Sequence, residues 1–164
     1  VLVCKVHPEY ILSENIPGYS DVKKIDKKFW KERYESIRNF EKHLVANGTV
    51  ILKFFLHVSK DEQKQRFLDR IEDPSKNWKF SVGDLKERVL WDKYMNVYGE
   101  AIKETSTADA PWYVIPADKK WYARLAISQV IEEKLESLNL KYPVLPKSEL
   151  DQLDAIKQQL INEK

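Results

Sequence analysis

Arg66 and Arg70 stand four residues apart, with Gln63 three residues before Arg66. On a helix that spacing puts all three on one face, and two neighbouring guanidiniums can fork onto phosphate oxygens through their parallel N–H donors. Lys76 and Lys79 flank Trp78 a little further on, and Arg88 follows Asp84 by one turn. Cations strung along a helical hairpin suit a cover over a chain of phosphates. The same stretch also holds Asp61, Glu62, Asp69, Glu72, Asp73, Glu87 and Asp92, so a solvated, salt-bridged hairpin fits its composition equally well. Composition alone leaves both readings open.

A second candidate is Asp118, Lys119 and Lys120, which come after an apolar run and open a helical pattern. Backbone amides and lysines at such a place can meet a nucleotide, and the simpler alternative is a helix cap with solvated lysines. His7, His43 and His57 show no metal-ligand spacing with the single Cys4, so no metal site is expected within the chain. His57 closes an apolar run, where packing explains a lone histidine. Lys53 lies inside that run and either snorkels to an edge or pairs with a carboxylate. None of the four glycines stands in a GxxxxGK[ST] context, and no apolar run ends in an aspartate placed to hold a metal. The chain therefore lacks a triphosphate cradle of its own.

These side chains need rigid carriers. With 164 residues, 43% of them hydrophobic and five tryptophans, the chain has enough apolar surface for one packed domain. The net charge of +2 comes from 28 basic and 26 acidic residues, which gives no global field toward DNA or a membrane, so any anion site is local. One cysteine makes no internal disulfide, and no apolar run approaches the roughly 20 residues of a membrane span. A reducing, cytoplasmic setting is the expectation. The chain opens on Val1, Leu2 and Val3 without methionine, reads as cut from something longer, and has no secretory leader pattern.

Residues 1–7 fit either a short strand or a helix end, and 7–28 read as a loop with Asp26 ready to cap the next helix. Phe29, Trp30, Tyr34, Ile37, Phe40 and Leu44 recur at helical steps, predicting a helix from Lys28 to Ala46 that Asn47 and Gly48 end. Thr49 to Val58 is β-branched, aromatic and nearly all apolar, as in a parallel strand covered on both faces. Ser59 with Glu62 forms a capping box for a helix to Glu72 that buries Phe67, Leu68 and Ile71, and Pro74 stops it. After a connector, Ser81 and Asp84 start one long helix to Glu104 with a stripe of Leu85, Trp91, Met95, Tyr98 and Ile102. Trp112 to Ile115 reads as a second buried strand, and Asp118 caps a helix to Leu138 that packs Trp121, Leu125, Ile131 and Leu135. Beyond Asn139, Pro143 and Pro146 precede a weakly amphipathic stretch from Glu149. Helices alternating with strands imply a parallel α/β layer fold, whose ligands sit outside the strands' carboxyl ends, near 57–60 and 117–120.

KFFLHVSKDEQKQRFLDRIEDPSKNWKFSVGDLKERVLWDKYMNVYGEA, from Lys53 to Ala101, and TSTADAPWYVIPADKKWYARLAI, from Thr105 to Ile127, resemble the lid and last-strand regions of the type-2 polyphosphate kinases, most nearly the group acting on AMP and ADP. The resemblance runs over about residues 28–143. It implies a three-layer α/β/α sandwich of P-loop kinase type, present here in part. It also implies a division into 1–27 as an N-terminal segment, 28–143 as the C-terminal part of the kinase domain with its lid at about 60–93, and 144–164 as a tail. The implied activity moves a phosphoryl group between inorganic polyphosphate and AMP or ADP, with magnesium bridging the phosphates and homo-oligomers formed through the sandwich. Arg66 and Arg70 would then serve the transferred phosphate, Lys76, Lys79 and Arg88 the polyphosphate, and Asp118, Lys119 and Lys120 the nucleotide. The family's Walker A and B elements would precede Val1 and supply the metal ligands, which leaves this piece inactive alone. Residues 1–7 resemble the segment directly after the family's Walker B motif, favouring a helix, and the loop from Pro8 to Lys28 matches poorly. Two rival readings are a non-catalytic module that binds polyphosphate or RNA, and a helical interaction domain whose charges are merely solvated.

Overall fold

The structure, a computed structural model, describes residues 1–163. In chain order it has α1 (Leu2–Val6), α2 (Glu9–Ser13), α3 (Lys27–Ala46), β1 (Lys53–His57), α4 (Lys60–Glu72), α5 (Val82–Val89), α6 (Trp91–Thr105), β2 (Trp112–Pro116), α7 (Lys120–Ser137), α8 (Lys147–Leu150) and α9 (Leu153–Asn162), with single 3₁₀ turns at Val22–Lys24 and Asn77–Lys79. β1 and β2 pair in parallel, Lys53 opposite Trp112 and His57 opposite Pro116. The first compact unit is Val1–Ser128, and a second begins at Gln129. The chain is mostly helical around a small parallel sheet.

The first unit has two apolar centres. In one, α3 lays Phe29, Trp30 and Tyr34 against Ile11 of α2 and Ala101 of α6, with Phe29 only 1% exposed. Burying aromatics of this size is worth roughly 1.5–3 kcal/mol per side chain, so this centre anchors the fold. The Asp26 carboxylate accepts the Phe29 N–H at 3.0 Å and caps α3 as its position predicts. Gly48, at φ +85°, supplies the left-handed residue that ends it. The smaller centre lies under the sheet, where Ile115 and Ala117 meet Ala123 of α7, with Phe54, Tyr113 and Ile127 packed around them.

Lys53 resolves as a pairing residue. Its Nζ donates to both Glu41 carboxylate oxygens, at 2.8 and 2.7 Å, and to the Thr105 carbonyl at 2.7 Å. The two side chains are 12% and 13% exposed. Removing either partner would strand a largely buried charge, which typically costs about 3–5 kcal/mol. One lysine thus ties α3, β1 and the end of α6 together.

Several expectations need correction. α2 and a 3₁₀ turn occupy the stretch expected to be loop. β1 is five residues long rather than ten, and the sheet is not covered on both faces, since Leu56 on β1 and Val114 on β2 are exposed. The sheet has only two strands among the described residues, so it offers less cover than the continuous apolar run implied. The single long helix is two: at Leu90, φ −86° and ψ 16° interrupt the ladder, and α6 begins at Trp91. Leu85, Leu68, Ile71 and Phe40 are exposed. On α7 the buried face is Ala123, while Trp121, Leu125, Ile131 and Leu135 are exposed. Apolar residues stand on every side of α7, so periodicity does not choose a face; small alanines permit the close approach to β2 that larger side chains would block.

Candidate functional site

Parallel pairing brings the carboxyl ends of β1 and β2 side by side, and backbone geometry closes them further. The Ala117 N–H donates to the His57 carbonyl at 2.9 Å, continuing the ladder one step past β2. Both strand exits therefore form one rim.

On that rim the structure places Arg66 and Arg88. Arg66 Nε donates to Glu62 Oε1 at 2.9 Å, and its Nη2 donates to the carbonyls of Ala117 at 2.7 Å and Asp118 at 3.3 Å. Glu62 is thereby committed to Arg66, and the expected capping box of α4 is half made: Ser59 Oγ accepts the Glu62 N–H at 3.1 Å. Arg88 comes from α5, where Ser81 and Asp84 form a full capping box. Its Nη1 donates to the Lys60 carbonyl at 2.7 Å and to Gln63 Oε1 at 2.8 Å. Each guanidinium carries five N–H donors, so both retain donors beyond these bonds.

The remaining expected cations lie elsewhere. Arg70 stacks its guanidinium 5.6 Å from the Phe67 ring centroid and makes no hydrogen bond to either strand exit. Lys76 pairs with Asp73 in the connector. Lys79 sits 4.9 Å from the Trp78 ring centroid, and that tryptophan is 78% exposed. Of the five cations singled out, two thus lie at the base of the hairpin and two at its tip, with Arg70 between them in sequence.

Asp118 does not cap α7. Its Oδ1 accepts the Ser59 backbone N–H at 2.7 Å. That N–H, with the Ser59 hydroxyl and the Arg66 charge behind it, holds the Asp118 carboxyl below the usual carboxylate range. Lys119 and Lys120 are exposed beside it.

Two cavities open at this rim. The first, of about 310 Å³, lies between β1, α4, α5 and α6 and is walled by Phe55, Phe67, Trp91 and Tyr98, with Gln63, Asp84, Glu87 and Arg88 supplying polarity. The second, of about 370 Å³, is lined by His57, Ser59, Ala117, Asp118, Lys119, Trp121 and Tyr122. Trp121 is 67% exposed there. Its helical spacing reads as core, and only the three-dimensional position of α7 shows it lining a cavity.

A further group emerges at the edge of the first cavity. His7 Nε2 lies 3.0 Å from Glu87 Oε2, its Nδ1 3.2 Å from Glu9 Oε1, and Tyr94 donates its hydroxyl to Glu87 at 2.6 Å. The Glu87 hydrogen bond raises the His7 pKa, against the opposing effect of partial burial. The Tyr94 hydroxyl, then His7, lowers that of Glu87. Glu87 stands 80 positions from His7 in the chain, so no local pattern announces the pair. Among the described residues no three His, Cys, Asp or Glu side chains are grouped to hold a metal ion, and no helix is long and apolar enough to cross a membrane.

Residues 14–143 match the family model described as polyphosphate kinase 2 (PPK2); the match therefore extends into the loop expected to fit poorly. Over 161 residues the chain is 52% identical to a protein of Rhodopseudomonas palustris named ADP-polyphosphate phosphotransferase, covering 98% of this chain and 55% of that protein. It is 53% identical over 119 residues to the AMP/ADP-polyphosphate phosphotransferase of Meiothermus ruber, covering 73% of this chain and 45% of that one. The crystal structure of polyphosphate kinase 2 from Arthrobacter aurescens superposes with a TM-score of 0.74 at 43% identity, over 84% of this chain and 48% of the other. The chain spans about half the length of these relatives.

Proposed function

The chain belongs to the polyphosphate kinase 2 family, and from that membership we propose that it carries the lid and one side of the nucleotide site of an enzyme moving a phosphoryl group between inorganic polyphosphate and AMP or ADP. The observation that carries this reading is the anchoring of Arg66 on the loop after β2 and of Arg88 on the first turn of the helix after β1, beside the shared exit of two parallel strands. Phosphoryl transfer spreads charge over the equatorial oxygens of a loose transition state, and fixed cations stabilise that charge without reorganising. Both guanidiniums are fixed by carbonyl oxygens and keep further N–H donors for a ligand.

In this reading Arg66 and Arg88 hold the phosphates nearest transfer, Arg70 comes next along α4, and Lys76 and Lys79 meet the outer polyphosphate. Lys119, Lys120 and Trp121 take the nucleotide in the second cavity, the lysines its phosphates and the exposed indole its base; a base stacked on an aromatic ring is worth about 1–3 kcal/mol. The two strands and their helices would form one flank of a three-layer α/β/α sandwich. Magnesium, when bound, would neutralise phosphate charge, with ligands drawn mainly from outside this chain.

The test is ATP formation from ADP, polyphosphate and magnesium, assayed for this chain and for the chain joined to the preceding half of a family member. Turnover in the joined protein is the expected result. Its absence, together with binding of polyphosphate that ignores nucleotide, would favour the binding module.

A further inference from the structure

The loop after β2 and the start of α4 are bonded at two points, although the residues concerned are more than fifty positions apart. The Asp118 carboxylate reaches from the loop to the Ser59 N–H at 2.7 Å. From the second turn of the helix Arg66 reaches back to the carbonyls of Ala117 and Asp118, at 2.7 and 3.3 Å. Ser59 is the cap residue of α4, its hydroxyl engaged by the Glu62 N–H. Its own N–H lies outside the helical ladder and needs an acceptor from elsewhere. Glu62 completes the arrangement by holding Arg66 Nε at 2.9 Å, so the guanidinium presents its Nη2 edge to the loop.

Asp118 sits where an anion is a poor substrate ligand. An ionised carboxylate beside phosphates raises their binding cost by charge repulsion, and Oδ1 is already spent on a backbone donor. A charged acceptor on a backbone N–H makes a strong bond, however, and serves well as a fastening.

We propose that Asp118 is a positioning residue, which with Arg66 clasps the base of the lid helix to the loop after β2 and acts through that clasp rather than by binding phosphate. A ligand filling the cavity beside Lys119 and Trp121 then also stiffens the base of α4. This second step rests on the functional reading above, whereas the clasp itself does not.

The experiment compares wild type, Asp118→Ala and Asp118→Asn as the 164-residue chain, by native-state hydrogen exchange at Ser59–Glu62 and by titration with polyphosphate and with ADP. Asparagine keeps the carbonyl acceptor and drops the charge. Alanine is expected to speed Ser59 exchange by roughly tenfold and to weaken polyphosphate binding several-fold, with asparagine restoring most of both. ADP should slow exchange across Ser59–Glu62 in wild type and not in Asp118→Ala. Unchanged Ser59 exchange in the alanine variant would overturn the clasp. Asparagine as damaging as alanine to binding, with Ser59 still protected, would show instead that Asp118 acts on the ligand through its charge. Should wild type bind neither polyphosphate nor ADP, the functional reading fails, and Ser59 exchange in the three proteins still decides the clasp.

Discussion

The base of the helical hairpin and its tip both carry cations, and the protein treats them differently. At the base, Arg66 and Arg88 are each held by backbone carbonyls and by a side-chain acceptor. At the tip, Lys76 has one partly exposed carboxylate and Lys79 an exposed indole face. A cation fixed before its ligand arrives loses little side-chain entropy on binding, while a free lysine gives up rotamer freedom and acts mainly through a screened field. On the proposed function, the base would position phosphate and the tip would attract it.

Arg66→Ala should have the greatest consequence, because it removes three donors to the protein as well as those left for a ligand. Polyphosphate affinity should fall by roughly 10–100-fold, the range expected when charge-assisted bonds worth about 1.5–3 kcal/mol are lost. Arg66→Lys should recover little, because an ammonium does not reproduce the planar fork that spans Glu62 and the Ala117 carbonyl. Calorimetric titration gives both values. Binding unaffected by the alanine change would remove the distinction between base and tip.

A second effect concerns what steadies the hairpin from below. His7 joins the end of α1 to Glu87 on α5, and the Glu87 bond raises its pKa. A raised folded pKa means that the charged histidine stabilises the fold fully below its unfolded value of about 6.5, and that the contribution fades as pH rises through the folded value above it. Thermal melts should show wild type ahead of His7→Gln by a few degrees at pH 6, with the gap closing toward pH 8. Glu87 is shifted downward, so its contribution holds above the ordinary carboxylate range and is lost only in acid, outside that window. A gap that stays constant across the range would show that His7 contributes through neutral contacts such as its stacking on Tyr10 of α2, 5.3 Å away.

At the tip, Lys79→Ala should weaken polyphosphate binding by about two- to three-fold at low salt and have almost no effect near 0.15 M, where the screening length is about 8 Å. The same titration at two ionic strengths checks this. A loss that survives high salt would place Lys79 in direct contact with phosphate.

Much of this contrast was legible in the residues. The stretch from Arg66 to Arg88 reads as two helices around a connector because Ser59, Pro74 and Ser81 punctuate it, and the strands read as parallel because both are nearly continuous in apolar residues and alternate with helices. What escaped the sequence was which cations share a place. Arg66 and Arg70 fall on one face of α4, yet only Arg66 touches the loop after β2, and Arg88 reaches the rim through Gln63 across 25 residues. Helical spacing fixes direction within an element and says nothing about the neighbour it meets. Trp121 shows the same limit: four apolar residues at helical steps imply a buried stripe, and α7 instead buries Ala123. The partners of Asp118 and His7 are likewise distant in the chain, so an N-cap was the natural local reading of the first, and the second showed only that its spacing fits no metal site.

Loss of the Asp73 carboxylate should act weakly and in the opposite direction. Asp73 is held down to about 2 by Lys76 first, then by the Ser75 hydroxyl and N–H, from an ordinary 3.8. Any stabilisation it gives is therefore present above about 3.8 and disappears only as pH falls toward 2, so melts near neutral pH should not detect the ionisation. Asp73→Asn keeps an acceptor for the Ser75 N–H, now at 3.0 Å, and for its hydroxyl, at 2.7 Å, which preserves the turn. It removes the carboxylate that competes with phosphate for Lys76. If the tip attracts rather than positions, polyphosphate should bind slightly tighter to the variant, by less than about twofold, and only at low salt, as an exposed pair is worth little. Weaker binding in Asp73→Asn would mean that the carboxylate aims Lys76 in the way Glu62 aims Arg66, and the tip would then belong with the base.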